Sequence, residues 1–120
     1  EKLKPHVKVP LITTNRINSP DVADRVIGDG HADMISMARP FLADPHFVLK
    51  AEQGREEEIN TCIACNQACL DHTFRGIRAS CLVNPYACYE TELISKPTAG
   101  HKKKKIAVVG AGPAGLAAAT

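Results

Sequence analysis

Val7-Lys8-Val9-Pro10-Leu11-Ile12-Thr13-Thr14-Asn15-Arg16-Ile17-Asn18-Ser19-Pro20-Asp21 decides the architecture, because it passes from a strand pattern to a helix start within a few residues. Residues 7–14 are β-branched and apolar, and predict a strand. Asn15-Arg16-Ile17-Asn18 is too polar to continue a buried strand. Ser19-Pro20-Asp21 then supplies an N-cap, a proline at the first helical position and an acid that the helix dipole favours. Val22, Ala23, Val26 and Ile27 recur at helical spacing, and Gly28 or Gly30 is expected to end the helix.

The pattern repeats downstream. Residues 32–37 predict a second strand that finishes at Ala38-Arg39-Pro40, and a second helix is expected to open at Asp44-Pro45, carry Phe47, Val48 and Ala51, and fade at Gly54. Strand, helix, strand, helix with short connections implies a parallel sheet with right-handed crossovers. The expected class is α/β, with residues 1–54 as the last two βα units of a (β/α)8 TIM barrel. Ligands bind such folds at the carboxyl ends of the strands, and phosphate binds there after strands seven and eight. Arg39 is the first phosphate candidate and Arg16 the second, since a guanidinium presents a fork of donors. Either arginine could instead pair with a carboxylate at the barrel rim.

Residues 55–59 read as a charged, solvated helical turn. The segment 55–90 carries all five cysteines of the chain. Cys62, Cys65 and Cys69 are spaced C-x2-C-x3-C, and Cys81 follows at a distance. A disulfide would leave one of the clustered thiols unpaired, whereas a metal centre uses thiolates as its natural ligands and closes with four of them. One loop giving three cysteines and a remote residue the fourth is more typical of a [4Fe-4S] cubane than of zinc, which usually takes two distant C-x2-C knuckles. A zinc-stabilised binding module is the competing reading from a different class. Cys88 is the odd thiol, expected to be a spectator although it could replace Cys81. The five histidines, His6, His31, His46, His72 and His101, show no ligand spacing among themselves; His72, three residues after Cys69, could tune the cluster by hydrogen bonding.

Residues 91–104 lose periodicity and gain proline, glycine and serine or threonine, and read as a linker. The lysines 102–105 are a solvated entrance to a strand rather than a nucleic-acid patch. Ile106-Ala107-Val108-Val109 predicts that strand. Gly110-Ala111-Gly112-Pro113-Ala114-Gly115 follows, and Leu116-Ala117-Ala118-Ala119 starts a helix. Strand, GxGxxG and helix in that order are the context of a dinucleotide fingerprint, so residues 105–120 are expected to begin a Rossmann-like domain. The glycines permit a tight turn and let a pyrophosphate approach the helix N-terminus.

Composition narrows the classes further. The chain of 120 residues is 44% apolar but only 4% aromatic, with a formal net charge of +2. That balance gives few anchors for a self-sufficient core and no global field to recruit nucleic acid or an acidic membrane. No stretch reads as a membrane span or signal peptide. Clustered cysteines fit a reducing cytoplasm better than a disulfide framework. The chain starts at Glu1 rather than at methionine and stops at Thr120 inside a helical pattern, so it is expected to be an internal segment of a longer protein and inactive alone.

Three stretches carry a resemblance over essentially the whole chain: residues 10–18 (PLITTNRIN), 36–44 (SMARPFLAD) and 62–71 (CIACNQACLD). They resemble the iron–sulfur branch of the old yellow enzyme (NADH:flavin oxidoreductase) family. Ser80-Cys81-Leu82-Val83-Asn84-Pro85 with Ala87-Cys88-Tyr89-Glu90 is most similar to its bacterial 2,4-dienoyl-CoA reductase members, and the amine dehydrogenase and enoate reductase members share the cysteine spacing. The resemblance implies an FMN barrel, a [4Fe-4S] segment and an FAD- and NADPH-binding part. It also implies electron flow from NADPH through FAD, cluster and FMN to an unsaturated acyl-CoA thioester of fatty acid β-oxidation. Carried over by residue, Asn15 and Arg16 lie beside FMN, and Ala38 (through its N–H) and Arg39 hold its phosphate. Cys62, Cys65, Cys69 and Cys81 ligate iron, and Gly110, Ala111, Gly112, Pro113, Ala114 and Gly115 cradle the FAD pyrophosphate. The family's proton donors sit on earlier barrel strands, so no catalytic acid is assigned here.

Overall fold

The computed structural model describes residues 2–94 and 105–119. Two short strands, β1 (Ile12–Thr14) and β2 (Met34–Ser36), pair in parallel with Ile12 opposite Met34, Thr13 opposite Ile35 and Thr14 opposite Ser36. Helix α1 (Pro20–Gly28) lies between them in sequence and packs on β2, which makes one βαβ unit. Its start follows the sequence: Ser19 is extended at the N-cap position, Pro20 opens the first turn and Asp21 sits in it. Its end is a Schellman turn, in which the Gly30 N–H donates to the Ile27 carbonyl at 2.9 Å and the His31 N–H to the Val26 carbonyl at 3.0 Å. Gly30 takes φ +69° there, a conformation that costs a residue bearing Cβ. Gly30, not Gly28, is therefore the terminator, and the same ending recurs at Gly54.

Both strands are shorter than expected. Residues 7–11 do not join β1, because Lys4–His6 forms a 3-10 turn and Pro10 removes a ladder donor. Leu11 is diverted as well: its N–H donates to the Asp33 carboxylate at 2.7 Å, and its carbonyl accepts from the Asp33 N–H at 2.8 Å. Lys4 pairs with the same carboxylate. Those bonds hold the Asp33 carboxyl below its usual range, the Leu11 N–H contributing most and the Lys4 ammonium next.

The stretch after β2 forms two helices where one was expected. Helix α2 (Arg39–Ala43) begins directly after Ala38, with Pro40 in its first turn, and α3 (Phe47–Glu52) begins three residues later than predicted. Proline placed where its missing N–H is unneeded starts a helix as readily as it ends a strand. Asp44 separates the two helices and is 2% exposed. Its carboxylate accepts from the His46 N–H at 2.9 Å, the Asn60 N–H at 3.0 Å and the Lys50 ammonium at 2.6 Å. Lys50 also donates to the Glu58 carbonyl at 2.8 Å. One buried acid thus ties α2, α3 and the approach to the cysteines together. The expected charged turn is a short 3-10 turn, Glu56–Glu58, braced by an Arg55–Glu58 ion pair, but Ile59 at its end is buried.

The small core contains Ala43 and Phe47 from the helices, Ile17 and Ala32 from the βαβ unit, and Ile59, Ala68 and Ala87 from the later segment. Phe41 meets Phe47 edge to face at 6.2 Å between ring centroids. Residues 106–109, expected as a strand, are not one. No described strand flanks them, and Val109 is 99% exposed. Helix α5 (Pro113–Ala119) follows, opening three residues before Leu116, where helix was expected to begin. Most of the predicted linker, including Lys102–Lys104, lies outside the described residues. Among the described residues no helix is long and apolar enough to cross a membrane.

Candidate cofactor site

Cys62, Cys65, Cys69 and Cys81 line one small cavity, together with Arg39, Leu42, Ile63, Ala68, Leu82 and Val83. The loop that gathers them is bent by two left-handed residues, Ala64 at φ +55° and Asn66 at φ +63°, on either side of Cys65. Such conformations cost about 1–3 kcal/mol each for residues with Cβ and persist only where the surroundings enforce them. Here the enforcing bonds are visible. The Asp71 N–H reaches back to the Asn66 carbonyl at 3.0 Å, and helix α4 (Leu70–Phe74) starts directly after Cys69. The Thr73 hydroxyl donates to the Cys69 carbonyl at 2.9 Å.

Cys81 arrives from farther along the chain and is held by backbone and by Asn84. The Ser80 N–H donates to the Ala68 carbonyl at 2.6 Å, and Cys81 and Asn84 form an isolated antiparallel bridge. The buried Asn84 amide donates to the Leu42 carbonyl at 2.9 Å, anchoring the turn to α2. Cys88 is not among the lining residues of that cavity. Its N–H bonds the Glu90 carboxylate at 3.0 Å, and its φ is +65°. His72 bonds the Arg78 carbonyl through Nδ1 at 3.0 Å and does not line the cavity either.

The four thiols share a cavity without converging on a point. Among the described residues, no three His, Cys, Asp or Glu side chains are placed to hold a single metal ion. A tetrahedral zinc site, with bonds of about 2.3 Å, would draw its sulfurs to within about 3.8 Å of one another. Thiols lining one cavity are the donor type that both zinc and iron–sulfur centres use.

A second, roomier cavity is lined by Arg16, Ile17, Asn18, Arg39, Pro40, Cys62 and Ala64. Arg39 and Cys62 belong to both cavities, so the two share a wall. Two side chains stitch that wall: the Asn18 amide donates to the Cys62 carbonyl at 3.0 Å, and Arg39 Nη1 donates to Asn66 Oδ1 at 2.5 Å. Two guanidiniums in one cavity suit a phosphate group. Neither Arg16 nor Arg39 forms an ion pair with a carboxylate among the described residues, so the rim-pairing alternative is not what is seen. Asn15 and Ala38 do not line this cavity. Asn15 and Arg16 are consecutive left-handed residues, φ +81° and +57°, that turn the chain off β1. Ala38 caps α2, its carbonyl accepting from the Phe41 N–H at 3.1 Å.

The glycine loop at 110–115 passes a local test. Gly110 takes φ +118°, and a Cβ on Gly115 would collide with the Gly110 carbonyl oxygen, 3.0 Å from its carbonyl carbon. Close approach of that kind is the role of the last glycine in a dinucleotide turn. Sequence reasoning missed Asn18, Asn66, Asn84 and Asp44, which position the cavities without lining the thiol site. The signal available for them was weak: Asn-Pro at 84–85 and Asp-Pro at 44–45 mark turns but do not reveal their partners.

Residues 1–58 match the NADH:flavin oxidoreductase / NADH oxidase family. A metal reductase of Desulforamulus reducens is 50% identical over 114 residues, which cover 95% of this chain and 17% of that protein. An NADH oxidase of Thermoanaerobacter brockii is 41% identical over 123 residues, covering 99% of this chain and 18% of the relative. Among solved structures, a complex of 2-naphthoyl-CoA reductase with 2-naphthoyl-CoA matches with a TM-score of 0.86 at 42% identity, over 94% of this chain and 17% of that one. The chain thus spans 17–18% of the length of these relatives.

Proposed function

We propose, from the match of residues 1–58 to the NADH:flavin oxidoreductase / NADH oxidase family, that the chain is the electron-relay segment of a flavin- and iron–sulfur-dependent reductase of unsaturated acyl-CoA thioesters. Of these, 2,4-dienoyl-CoA is the expected substrate class. The observation that carries the reading is the shared wall: four thiols on one cavity, two guanidiniums on the next, and Arg39 and Cys62 on both. When bound, FAD would take hydride from NADPH, a [4Fe-4S] cluster would pass the electrons singly, and FMN would deliver them as hydride.

The chain's own residues have distinct tasks in this reading. Cys62, Cys65, Cys69 and Cys81 would ligate iron as thiolates, beside the apolar side chains of Leu42, Ile63, Leu82 and Val83. Arg16 and Arg39 would hold the FMN phosphate, and the left-handed turn at Asn15 and Arg16 would present that edge of the barrel to the flavin. Ala38 would add its N–H. The loop from Gly110 to Gly115 would bring backbone against the FAD pyrophosphate, and a Cβ on Gly115 would obstruct the turn. An acyl-CoA substrate draws support from the naphthoyl-CoA reductase likeness.

The test is NADPH oxidation by the full-length, anaerobically prepared protein. The expected result is oxidation that depends on added 2,4-dienoyl-CoA and yields the enoyl thioester. Turnover of a methylated amine, with none of the thioester, would instead identify the amine dehydrogenase members of the family as its functional kin.

A further inference from the structure

Arg39 is the only charged side chain, apart from the cysteines themselves, among the described residues lining the thiol cavity. The other lining residues are Leu42, Ile63, Ala68, Leu82 and Val83, all apolar. A cation fixed on that lining adds a positive potential to whatever the cavity holds. Long arginine side chains hold one geometry only when something fixes the head group. Asn66 does so: its Oδ1 accepts from Arg39 Nη1 at 2.5 Å.

Asn66 is suited to that task by its backbone. It follows Cys65 directly and sits at φ +63°, which asparagine tolerates better than most residues. Its carbonyl is pinned by the Asp71 N–H. Its side chain therefore points at Arg39 because the cysteine loop itself is folded.

We infer that Asn66 is a positioning residue that holds the Arg39 guanidinium against the thiol cavity, where it raises the reduction potential of the iron–sulfur cluster. Reduction adds one electron's negative charge to a centre already surrounded by four thiolates. A fixed cation stabilises the reduced form more than the oxidised form. Arg39 also lines the neighbouring cavity, where it would meet the FMN phosphate, so each potential is read beside the FMN content of the same sample. The inference rests on the proposed reading of the thiol cavity as an iron–sulfur site.

The experiment is an EPR-monitored redox titration of the anaerobically purified full-length protein, with iron and FMN content measured on each sample. Asn66→Gly keeps the left-handed backbone without strain and removes the acceptor. Arg39→Gln removes the charge while keeping an amide that can reach Asn66. Iron content should stay at the wild-type level in both. The reduced-to-oxidised ratio at a fixed poise should fall about tenfold in Arg39→Gln, equivalent to about 59 mV for one electron, and by a smaller factor in Asn66→Gly.

Unchanged potentials in both variants, with iron retained, would overturn the inference. So would loss of iron from both, because that outcome assigns the pair a purely structural role. A wild-type protein with no iron is a separate failure, of the iron–sulfur reading itself.

Discussion

At the scale of single residues, Asp44 and Cys81 separate what was legible from what was not. The cysteine spacing of the resembled family pointed to Cys81 over Cys88 as the fourth ligand; Cys81 lines the thiol cavity and Cys88 does not. The other three cysteines were legible as a group because they lie within eight consecutive residues. Cys81→Ser is therefore expected to lower bound iron and bleach visible absorbance, while Cys88→Ser leaves both near wild type. Metal analysis beside the absorption spectrum checks this. Asp44 was read only as a helix opener, since nothing local in Asp44-Pro45 announces Lys50 or Asn60 as partners. Burial pushes its carboxyl up, but the Lys50 ammonium and the Asn60 and His46 N–H groups outweigh that and leave it below 3.8. A folded-state value depressed in this way gives stability that is fully present above the unfolded value and lost as pH falls through the folded one. Asp44→Ala should cost about 3 kcal/mol at pH 7 by stranding Lys50. The penalty should shrink as pH falls through the depressed folded value, as read by denaturant unfolding at pH 7 and in acid.

At the scale of elements, the helix signals held where capping chemistry was explicit. Ser19-Pro20-Asp21 starts α1, and glycines end α1 and α3. Strand length was over-read, because β propensity in residues 7–11 is overridden by Pro10 and by the diversion of Leu11 to Asp33. Helix α2 was missed because Ala38-Arg39-Pro40 looks like a strand terminus when read alone; only the position of Pro40 within a first turn resolves it. Residues 106–109 show the limit most plainly, since an apolar tetrapeptide becomes a strand only beside another strand. The glycine turn that follows needs no such partner and adopts its tight form anyway. Gly115→Ala is expected to break that turn through the Gly110 carbonyl. FAD content of the full-length protein should fall at least tenfold with iron unchanged, as measured by released flavin and metal analysis.

At the scale of the whole molecule, the chain is not built as one compact domain. Its radius of gyration is 18.5 Å, against about 14 Å for a compact chain of this length. Among the described residues twenty large apolar side chains are exposed, including Ile12, Met34 and Val48 on the elements of the α/β half. The organisation that does emerge is local, two cavities divided by the wall of Arg39 and Cys62, and its claim on function depends on what the four cysteines hold. The most direct measurement is quantification of iron, sulfide and zinc in the anaerobically purified full-length protein, before and after Cys69→Ser. The account predicts about four iron atoms and matching sulfide per chain, with a reduced-state EPR signal, all lost in Cys69→Ser. One zinc per chain, or iron content unaltered by Cys69→Ser, would contradict it.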